Sequence, residues 1–178
     1  MPSIFTHAAI PLALWCAADR GRIATPLLAA GVVAAMLPDA DVLAFALHIP
    51  YADSFGHRGA SHSMLFAALM ALLAALLHRR LRATAVQAAA FVGLCALSHP
   101  LLDALTSGGL GVALWWPWSG ERFFAPWRPI RVSPFAPQFF SARGMATVLS
   151  ELRWVWLPLT LAVIGWRAIQ RAPVDSRT

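Results

Sequence analysis

Five apolar segments constrain the fold of this 178-residue chain more than any other feature. A helix needs about 20 apolar residues to cross a bilayer, with a range of about 17–25. The fourth segment reaches this length by itself, the third and fifth reach it with their flanks, and the first two are short. The sequence therefore predicts an all-α, polytopic membrane protein with about three to five transmembrane helices. The segments are residues 7–18, 23–37, 63–77, 84–105 and 154–166.

The charged residues also favour a membrane protein and argue against a nucleic-acid-binding one. Only 12% of the residues are charged, against about 25% in soluble domains. The net charge is +6, and all 14 basic residues are arginine. Because they punctuate the apolar segments without forming a basic face, we expect a lipid bilayer and no nucleic acid as partner.

Three groups of arginines between or after the apolar segments predict the orientation. If all five segments cross, these groups share one side, which the positive-inside rule makes cytoplasmic. The long connection 108–153 then lies outside, although it carries arginines of its own. The groups are Arg20 with Arg22, then Arg79, Arg80 and Arg82, then Arg167, Arg171 and Arg177.

We expect a single integral membrane domain over residues 1–178. It divides into a motif-bearing helical core at 1–110 and an arginine- and aromatic-rich loop at 111–150. A C-terminal transmembrane helix follows at 151–170 and a tail at 171–178. Within the loop, residues 119–135 mix arginines, aromatic residues and prolines. They are interpreted either as an interfacial loop on lipid headgroups or as a lid for an anionic substrate.

Polar motifs occur at four ends of the apolar segments. His7 begins the first, LPDAD (37–41) ends the second, HRGASHS (57–63) precedes the third and SHPLLD (98–103) ends the fourth. By the parity of the crossings, all four lie on the face opposite the arginine groups. Ionisable residues at membrane depth are rare and usually functional, so this convergence predicts one polar site at one end of the bundle.

Histidine and aspartate are the side chains that this site offers. Imidazole and carboxylate suit zinc first, and also manganese or iron, and without thiolates a finger-type structural zinc site is not expected. Seven candidates exceed the needs of one tetrahedral ion, so the sequence allows one or two divalent ions. The candidate metal ligands are His7, Asp39, Asp41, His57, His62, His99 and Asp103.

Each motif also has a structural interpretation. His99 and Asp103, four residues apart, share a helix face and form an internal ion pair in this interpretation. Asp39 and Asp41 follow a proline and cap a turn or a helix start. Ser61 is the expected N-cap of the next helix.

In these motifs the chain resembles the membrane-bound, metal-dependent hydrolases of the YdjM type. The resembling residues are His7, LPDAD, HRGASHS and SHPLLDALTSGG in that order, within the first 110 residues or so. More distantly, the chain is similar to the zinc-dependent phospholipase C and P1 nuclease group, where an Asp, a later His and a His-x-x-x-Asp pair bind metals. Asp41, His57, His99 and Asp103 match that order, with His7 as an early histidine. The later His and Glu ligands of that group have no counterpart, which favours one or two ions.

The residues and the resemblance together imply a metal-dependent hydrolase of the bacterial inner membrane. The expected substrate is a phosphoester in a lipid or lipid-linked molecule, cleaved through a metal-activated water. Asp39 is the candidate base, and Arg58 is the candidate stabiliser of the developing negative charge. We expect the site on the non-cytoplasmic face. The alternatives are a metal or proton carrier or a sensor, and a His/Asp cluster that only fixes helix packing.

Overall fold

The computed structural model describes residues 1–134 and 138–171 of the chain. In these two ranges the regular structure is helical, with two isolated β-bridges, which confirms the predicted all-α membrane architecture. The predicted tail from residue 172 on, with Arg177, and Phe135 at the end of the predicted lid lie outside the described residues. The helices are α1 (Ile4–His7), α2 (Ala9–Ala17), α3 (Thr25–Met36), α4 (Leu43–Ala46), α5 (Met64–Leu76), α6 (Ala85–Ala104), α7 (Ala142–Glu151) and α8 (Leu157–Arg171).

Among the described residues, three helical stretches are long and apolar enough to cross a membrane. They are Thr25–Ala46, Ala85–Ala104 and Ala142–Arg171, and the shorter apolar helices are Ile4–Ala17 and Met64–Leu76. The predicted lengths of the second and third apolar segments are therefore wrong. The second is long because α3 continues through a 3-10 turn, Leu37–Val42, into α4. The third is short because Ser63 caps α5, accepting a hydrogen bond from the N–H of Phe66, and the helix has only 13 residues.

Helix α7 begins inside segment 111–150, which we expected to be a loop. The Ser141 side chain caps it by accepting a hydrogen bond from the N–H of Arg143. The chain then passes through a π-helical turn, Leu152–Trp156, into α8. The C-terminal membrane helix therefore starts at Ala142 and not at 151.

The apolar core lies between α3, α5 and α6 and consists largely of alanine. Small residues let these helices approach closely, as is typical of membrane helices. A methyl group added at Gly31 would overlap the ring of Phe91, and one at Gly93 would lie 2.9 Å from the Cβ of Ala71. The close packing fixes α6, which carries two of the candidate ligands.

Helix α8 packs on α2 at the other side of the bundle. The Arg167 guanidinium donates hydrogen bonds to the carbonyls of Cys16 and Ala18, at the end of α2. It also lies 3.6 Å from a carboxylate oxygen of Asp19. These contacts place Arg167 of the last arginine group at the same end of the bundle as Arg20 and Arg22, as the crossing pattern predicts.

The segment after α6 folds back over the opposite end of the bundle. The N–H of Ser107 donates to the carbonyl of Ile130 at 2.9 Å. Val112 and Phe123 exchange two backbone hydrogen bonds across an antiparallel bridge. Because Ile130 is buried beneath it, this part of the segment is held against the helices and forms a fixed wall beside the polar motifs.

Candidate metal centre

Four of the predicted ligands converge on one point inside the protein. Asp39, His62, His99 and Asp103 each offer one ligand atom, and these atoms all lie within 4.8 Å of one another. All four residues are 2% exposed or less. Asp39 lies in the 3-10 turn after α3, His62 in a 3-10 turn before α5, and the other two lie one turn apart on α6. This buried His/Asp cluster could hold a metal ion.

The spacing of the ligand atoms suits a tetrahedral ion. With bonds of about 2.0–2.1 Å, the ligands of tetrahedral zinc lie about 3.3 Å from one another. The Nε2 atoms of His62 and His99 are 2.9 Å apart. The Nε2 of His99 is 3.5 Å from Oδ1 of Asp39, and the Nε2 of His62 is 3.3 Å from Oδ2 of Asp103. In a fourth pair, the Nε2 of His62 is 4.0 Å from Oδ1 of Asp39. The other two pairs also lie within 4.8 Å, so the spacing is that of a tetrahedral site or slightly wider.

Both histidines are oriented by partners on their other ring nitrogen. The Nδ1 of His99 donates to the carbonyl of Ala35 at 2.7 Å. The Nδ1 of His62 lies 3.1 Å from a carboxylate oxygen of Asp41. A protonated Nδ1 leaves the lone pair of each Nε2 pointing into the cluster. Two such lone pairs at close range repel unless a proton or a metal cation lies between them.

The carboxylates of the cluster lack aligned hydrogen-bond donors in the described part of the chain. The buried polar atoms without a hydrogen-bond partner include both oxygens of Asp39, both oxygens of Asp103 and both ring nitrogens of His7. A buried polar atom without a partner costs about 1–3 kcal/mol. His7 stacks on His99, and its Nε2 lies 3.7 Å from Asp39 and 3.6 Å from Asp103. Several buried oxygen and nitrogen atoms that lack hydrogen-bond partners and lie close together are expected at a cation site.

The charges of the cluster favour a cation as well. Burial by itself lowers the pKa of His62, but its contacts with Asp103 and Asp41 outweigh this and raise the pKa to about 9. A cation bound at Nε2 of His62 would take the place of that proton, which leaves the guanidinium of Arg58 beside the three carboxylates of Asp39, Asp41 and Asp103. The pocket therefore retains negative charge that a divalent ion would neutralise.

Arg58 lies in the wall of the cluster and not free in a cavity. It is fully buried, and its Nε is 3.0 Å from Oδ2 of Asp103. Its Nη1 donates to the carbonyl of Gly108 and its Nη2 to Oγ1 of Thr106, each at 3.0 Å. Burial lowers the pKa of Arg58, which Asp103 opposes. A guanidinium has five N–H bonds, so these contacts leave two unassigned.

Asp41 and His57 lie behind the cluster. Asp41 accepts hydrogen bonds from the N–H of Arg58 at 2.9 Å and the hydroxyl of Ser61 at 2.7 Å. Its other oxygen is 2.5 Å from Nδ1 of His57. Asp41 thereby fixes the HRGASHS segment and orients His62, whereas Asp39 faces the cluster.

The structure bears on two of the structural interpretations of the motifs, the cap at Ser61 and the ion pair on α6. The expected cap at Ser61 is wrong, because Ser63 caps α5 and Ser61 binds Asp41 instead. The ion pairs of the described residues join Asp103 to Arg58, His7 and His62, and none joins it to His99. The two residues of α6 therefore face a shared cluster and not each other alone.

Two cavities adjoin the cluster. The cluster cavity, of about 250 Å³, is lined by Tyr51, His57, Arg58 and Gly109, among others. The apolar cavity, of about 340 Å³, is bordered by Asp39. Both are bounded by Met1, Ser133 and Pro134, so they are neighbours. The apolar cavity is further lined by Ile4, Phe5, Val42, Phe139 and Phe140.

Sequence reasoning missed a buried carboxylate that supports His7. Glu151, 2% exposed, accepts hydrogen bonds from the N–H and hydroxyl of Ser3 and from the hydroxyl of Thr6. Trp156 also donates to Thr6. These bonds hold α1, which carries His7, against the C-terminal helix. The signal in the sequence is an acidic residue at the start of an apolar membrane segment.

Tyr51 is a second residue that the motifs did not single out. It lines the cluster cavity, and its ring packs edge-on against His57 with centroids 5.2 Å apart. Burial raises the pKa of its hydroxyl, so it remains a hydrogen-bond donor at neutral pH. It is the single tyrosine of the chain.

Comparison of the sequence with known proteins identifies a family and a close relative. The profile of the YdjM inner membrane protein family matches residues 1–174. The inner membrane protein YbcI of Escherichia coli (strain K12) is 46% identical over 171 residues, which cover 94% of this chain and 99% of that protein. No solved structure matches the chain.

Proposed function

From the premise that this chain belongs to the YdjM inner membrane protein family, we propose that it is a metal-dependent hydrolase. Its substrate is a phosphoester in a lipid or lipid-linked molecule. The observation that carries the proposal is the group of four buried ligand atoms in the His/Asp cluster. Imidazole and carboxylate ligands beside an open cavity are typical of hydrolytic zinc sites.

Asp39, His62, His99 and Asp103 hold the first ion in this proposal. His7 contacts both carboxylates and is the candidate fifth ligand or the ligand of a second ion. Zinc suits this set best, and manganese or iron are the alternatives. When bound, the metal supplies the positive charge that activates a water molecule for attack on phosphorus.

The residues around the cluster hold and move protons. Asp39 offers one oxygen to the ligand set, so its second oxygen is the candidate acceptor for the proton of the attacking water. Asp41 keeps His62 in the tautomer that presents Nε2. Arg58 neutralises Asp103 and borders the cluster cavity, so that its positive charge lies beside the proposed phosphate position.

The apolar cavity favours a lipid as substrate. It combines aromatic and aliphatic walls with one carboxylate of the cluster, Asp39. Hydrocarbon next to the scissile group would fit there, while the phosphate would lie in the cluster cavity beside Arg58. We place the site on the non-cytoplasmic side of the membrane, because the arginine groups lie at the other end of the helices.

A carrier is less well supported than a hydrolase. A carrier needs polar groups along a path through the bilayer. In the described ranges, the core between α3, α5 and α6 is apolar, and the buried charged residues gather at the end that holds the cluster. This distribution favours a localised site over a transport path.

Metal content tests the proposal directly. We expect about one equivalent of zinc, manganese or iron in the detergent-purified protein, measured by mass spectrometry. His99→Ala and Asp103→Asn should lose it while remaining folded. Asp53→Asn is the matched control, because Asp53 is an exposed carboxylate in a loop near the site.

Activity is measured on the same samples. The metal-loaded protein should release phosphate from dioctanoyl phosphatidic acid or pyrophosphate from dioctanoylglycerol pyrophosphate, and the cluster variants should not. Bound metal without hydrolysis would favour a carrier or sensor. If the wild type binds no metal even after reconstitution, the cluster only fixes helix packing.

A further inference from the structure

A third cavity, of about 440 Å³, adjoins the cluster cavity and is lined by three arginines. Arg128, Arg131 and Arg143 border it, together with Ser107 and Thr147. We call it the arginine groove. Arg143 also borders the cluster cavity, so the groove opens beside the candidate site.

In the part of the chain that the structure describes, no ion pair neutralises the charges of the arginine groove. Within residues 1–134 and 138–171, the arginines that form ion pairs are Arg22, Arg58 and Arg167. Arg128 stacks over the ring of Phe124, with its guanidinium carbon 4.7 Å from the centroid. Three like charges around one cavity repel one another and attract a polyvalent anion. Planar guanidinium groups bind phosphate oxygens in a bidentate manner.

The backbone of the groove is fixed by hydrogen bonds on both sides. The N–H of Arg131 donates to the hydroxyl of Ser150 on α7 at 2.9 Å. The N–H of Val132 donates to the hydroxyl of Ser107 at 3.3 Å. Ile130, next to these residues, is 1% exposed. This segment is therefore anchored between α6 and α7, which favours a formed binding site over a loop that lies loosely on headgroups.

We infer that the arginine groove binds a second phosphate of the substrate, next to the phosphate at the His/Asp cluster. The substrate class is then a lipid diphosphate, with its hydrocarbon in the apolar cavity and its two phosphates in the two cavities that share Arg143. The assignment of the groove to the substrate rests on the proposed hydrolase function, whereas anion binding in it does not.

Binding of two short-chain lipids to the full-length, metal-free protein tests the inference. Calorimetry in detergent compares dioctanoylglycerol pyrophosphate with dioctanoyl phosphatidic acid, which differ by one phosphate. Wild type should bind the diphosphate at least about tenfold more tightly, because charge-assisted hydrogen bonds are the strong ones. The double variant Arg128→Gln, Arg131→Gln should lose this preference and bind both lipids alike.

Arg153→Gln is the matched control. Arg153 lies in the same part of the chain and stacks on Trp154, but it borders neither cavity. This control should keep the full preference, and the double variant should keep the Tm of the metal-free wild type in detergent, which verifies its fold.

Three results would overturn the inference. Equal binding of the two lipids by the wild type would remove the second phosphate site. A preference that persists in the double variant would place the site elsewhere. Inorganic pyrophosphate binding as tightly as the lipid diphosphate would make the ligand a soluble anion. None of these results bears on whether the loaded protein hydrolyses phosphoesters, so the two proposals can fail separately.

Discussion

Asp39 and Glu151 are two buried carboxylates, and we expect that removal of Glu151 destabilises the metal-free protein whereas removal of Asp39 does not. Glu151 accepts three hydrogen bonds from Ser3 and Thr6. The oxygens of Asp39 accept none from aligned donors in the described part of the chain. A buried carboxylate that serves as a metal ligand lowers the stability of the metal-free protein. A buried carboxylate that accepts hydrogen bonds stabilises the protein with or without metal.

The magnitudes follow from these contacts. Glu151→Ala leaves three buried donors without acceptors, at about 1–3 kcal/mol each, so we expect a loss of about 3 kcal/mol or more. Asp39→Ala removes an uncompensated buried carboxylate from the metal-free protein. We expect unchanged stability or a gain of up to about 3 kcal/mol. For a domain of this size, 1 kcal/mol shifts Tm by about 2–4 °C.

Thermal unfolding in detergent, with chelator or with excess zinc, measures both effects. Zinc at about 100 times its Kd should stabilise the wild type by about 2.7 kcal/mol, and this gain should vanish in Asp39→Ala. Glu151→Gln keeps one acceptor oxygen and replaces Glu151→Ala in the experiment if that variant does not fold. Zinc should still raise the Tm of Glu151→Gln. If Asp39→Ala lowers the Tm of the metal-free protein as much as Glu151→Ala does, Asp39 stabilises the fold by itself and is not a metal ligand.

Three further predictions test the surroundings of the cluster. Asp41→Asn should weaken zinc binding about 10–100-fold in a chelator competition while leaving the saturating stoichiometry unchanged; unaltered affinity would show that Asp41 does not orient the ligands. Gly109 has φ 93°, and a Cβ there would lie 2.8 Å from Nη1 of Arg58. Gly109→Ala should therefore cost about 1–3 kcal/mol of unfolding free energy, whereas Gly120→Ala, with no neighbour within 4 Å, should be neutral; equal effects would refute the packing argument. In a cysteine-free background, Gly120→Cys should react with an impermeant maleimide in spheroplasts, and Arg80→Cys only after lysis; the reverse pattern would place the site in the cytoplasm.

The convergence of the polar motifs could be predicted because it follows from connectivity. His7, His62 and His99 are far apart in sequence, but each lies at the end of an apolar segment. Successive helices that cross or pack as hairpins bring alternate ends together. His7 stacks on His99, with centroids 3.7 Å apart, because the start of the first segment and the end of the fourth lie at the same end of the bundle.

The separate roles of Asp39 and Asp41 could not be predicted from the sequence. Both belong to one short motif, and either residue type suits a metal. The 3-10 turn at Leu37–Val42 turns Asp39 toward the cluster and Asp41 toward the backbone of the HRGASHS segment. That difference depends on the local helix type, which a six-residue pattern does not reveal.

Helix lengths were predicted less well than helix positions, because composition does not mark where a membrane helix changes geometry. Pro38 and two aspartates indicate an end to the second segment, yet the chain continues through the 3-10 turn as far as Ala46. Ser141 caps α7 within segment 111–150, whose arginines and aromatic residues favoured a loop.

The contacts of Glu151 with Ser3 and Thr6 join residues 148 and 145 positions apart. Synthesis runs from the N-terminus, so α1 is made first and its anchor is made last. During most of translation, the hydroxyl groups of Ser3 and Thr6, which lie near His7 in sequence, cannot yet donate to Glu151. The order of membrane insertion thus delays completion of the cluster until α7 has been made, so a metal ion could enter a complete cluster only in one of the last steps of the biogenesis of this protein.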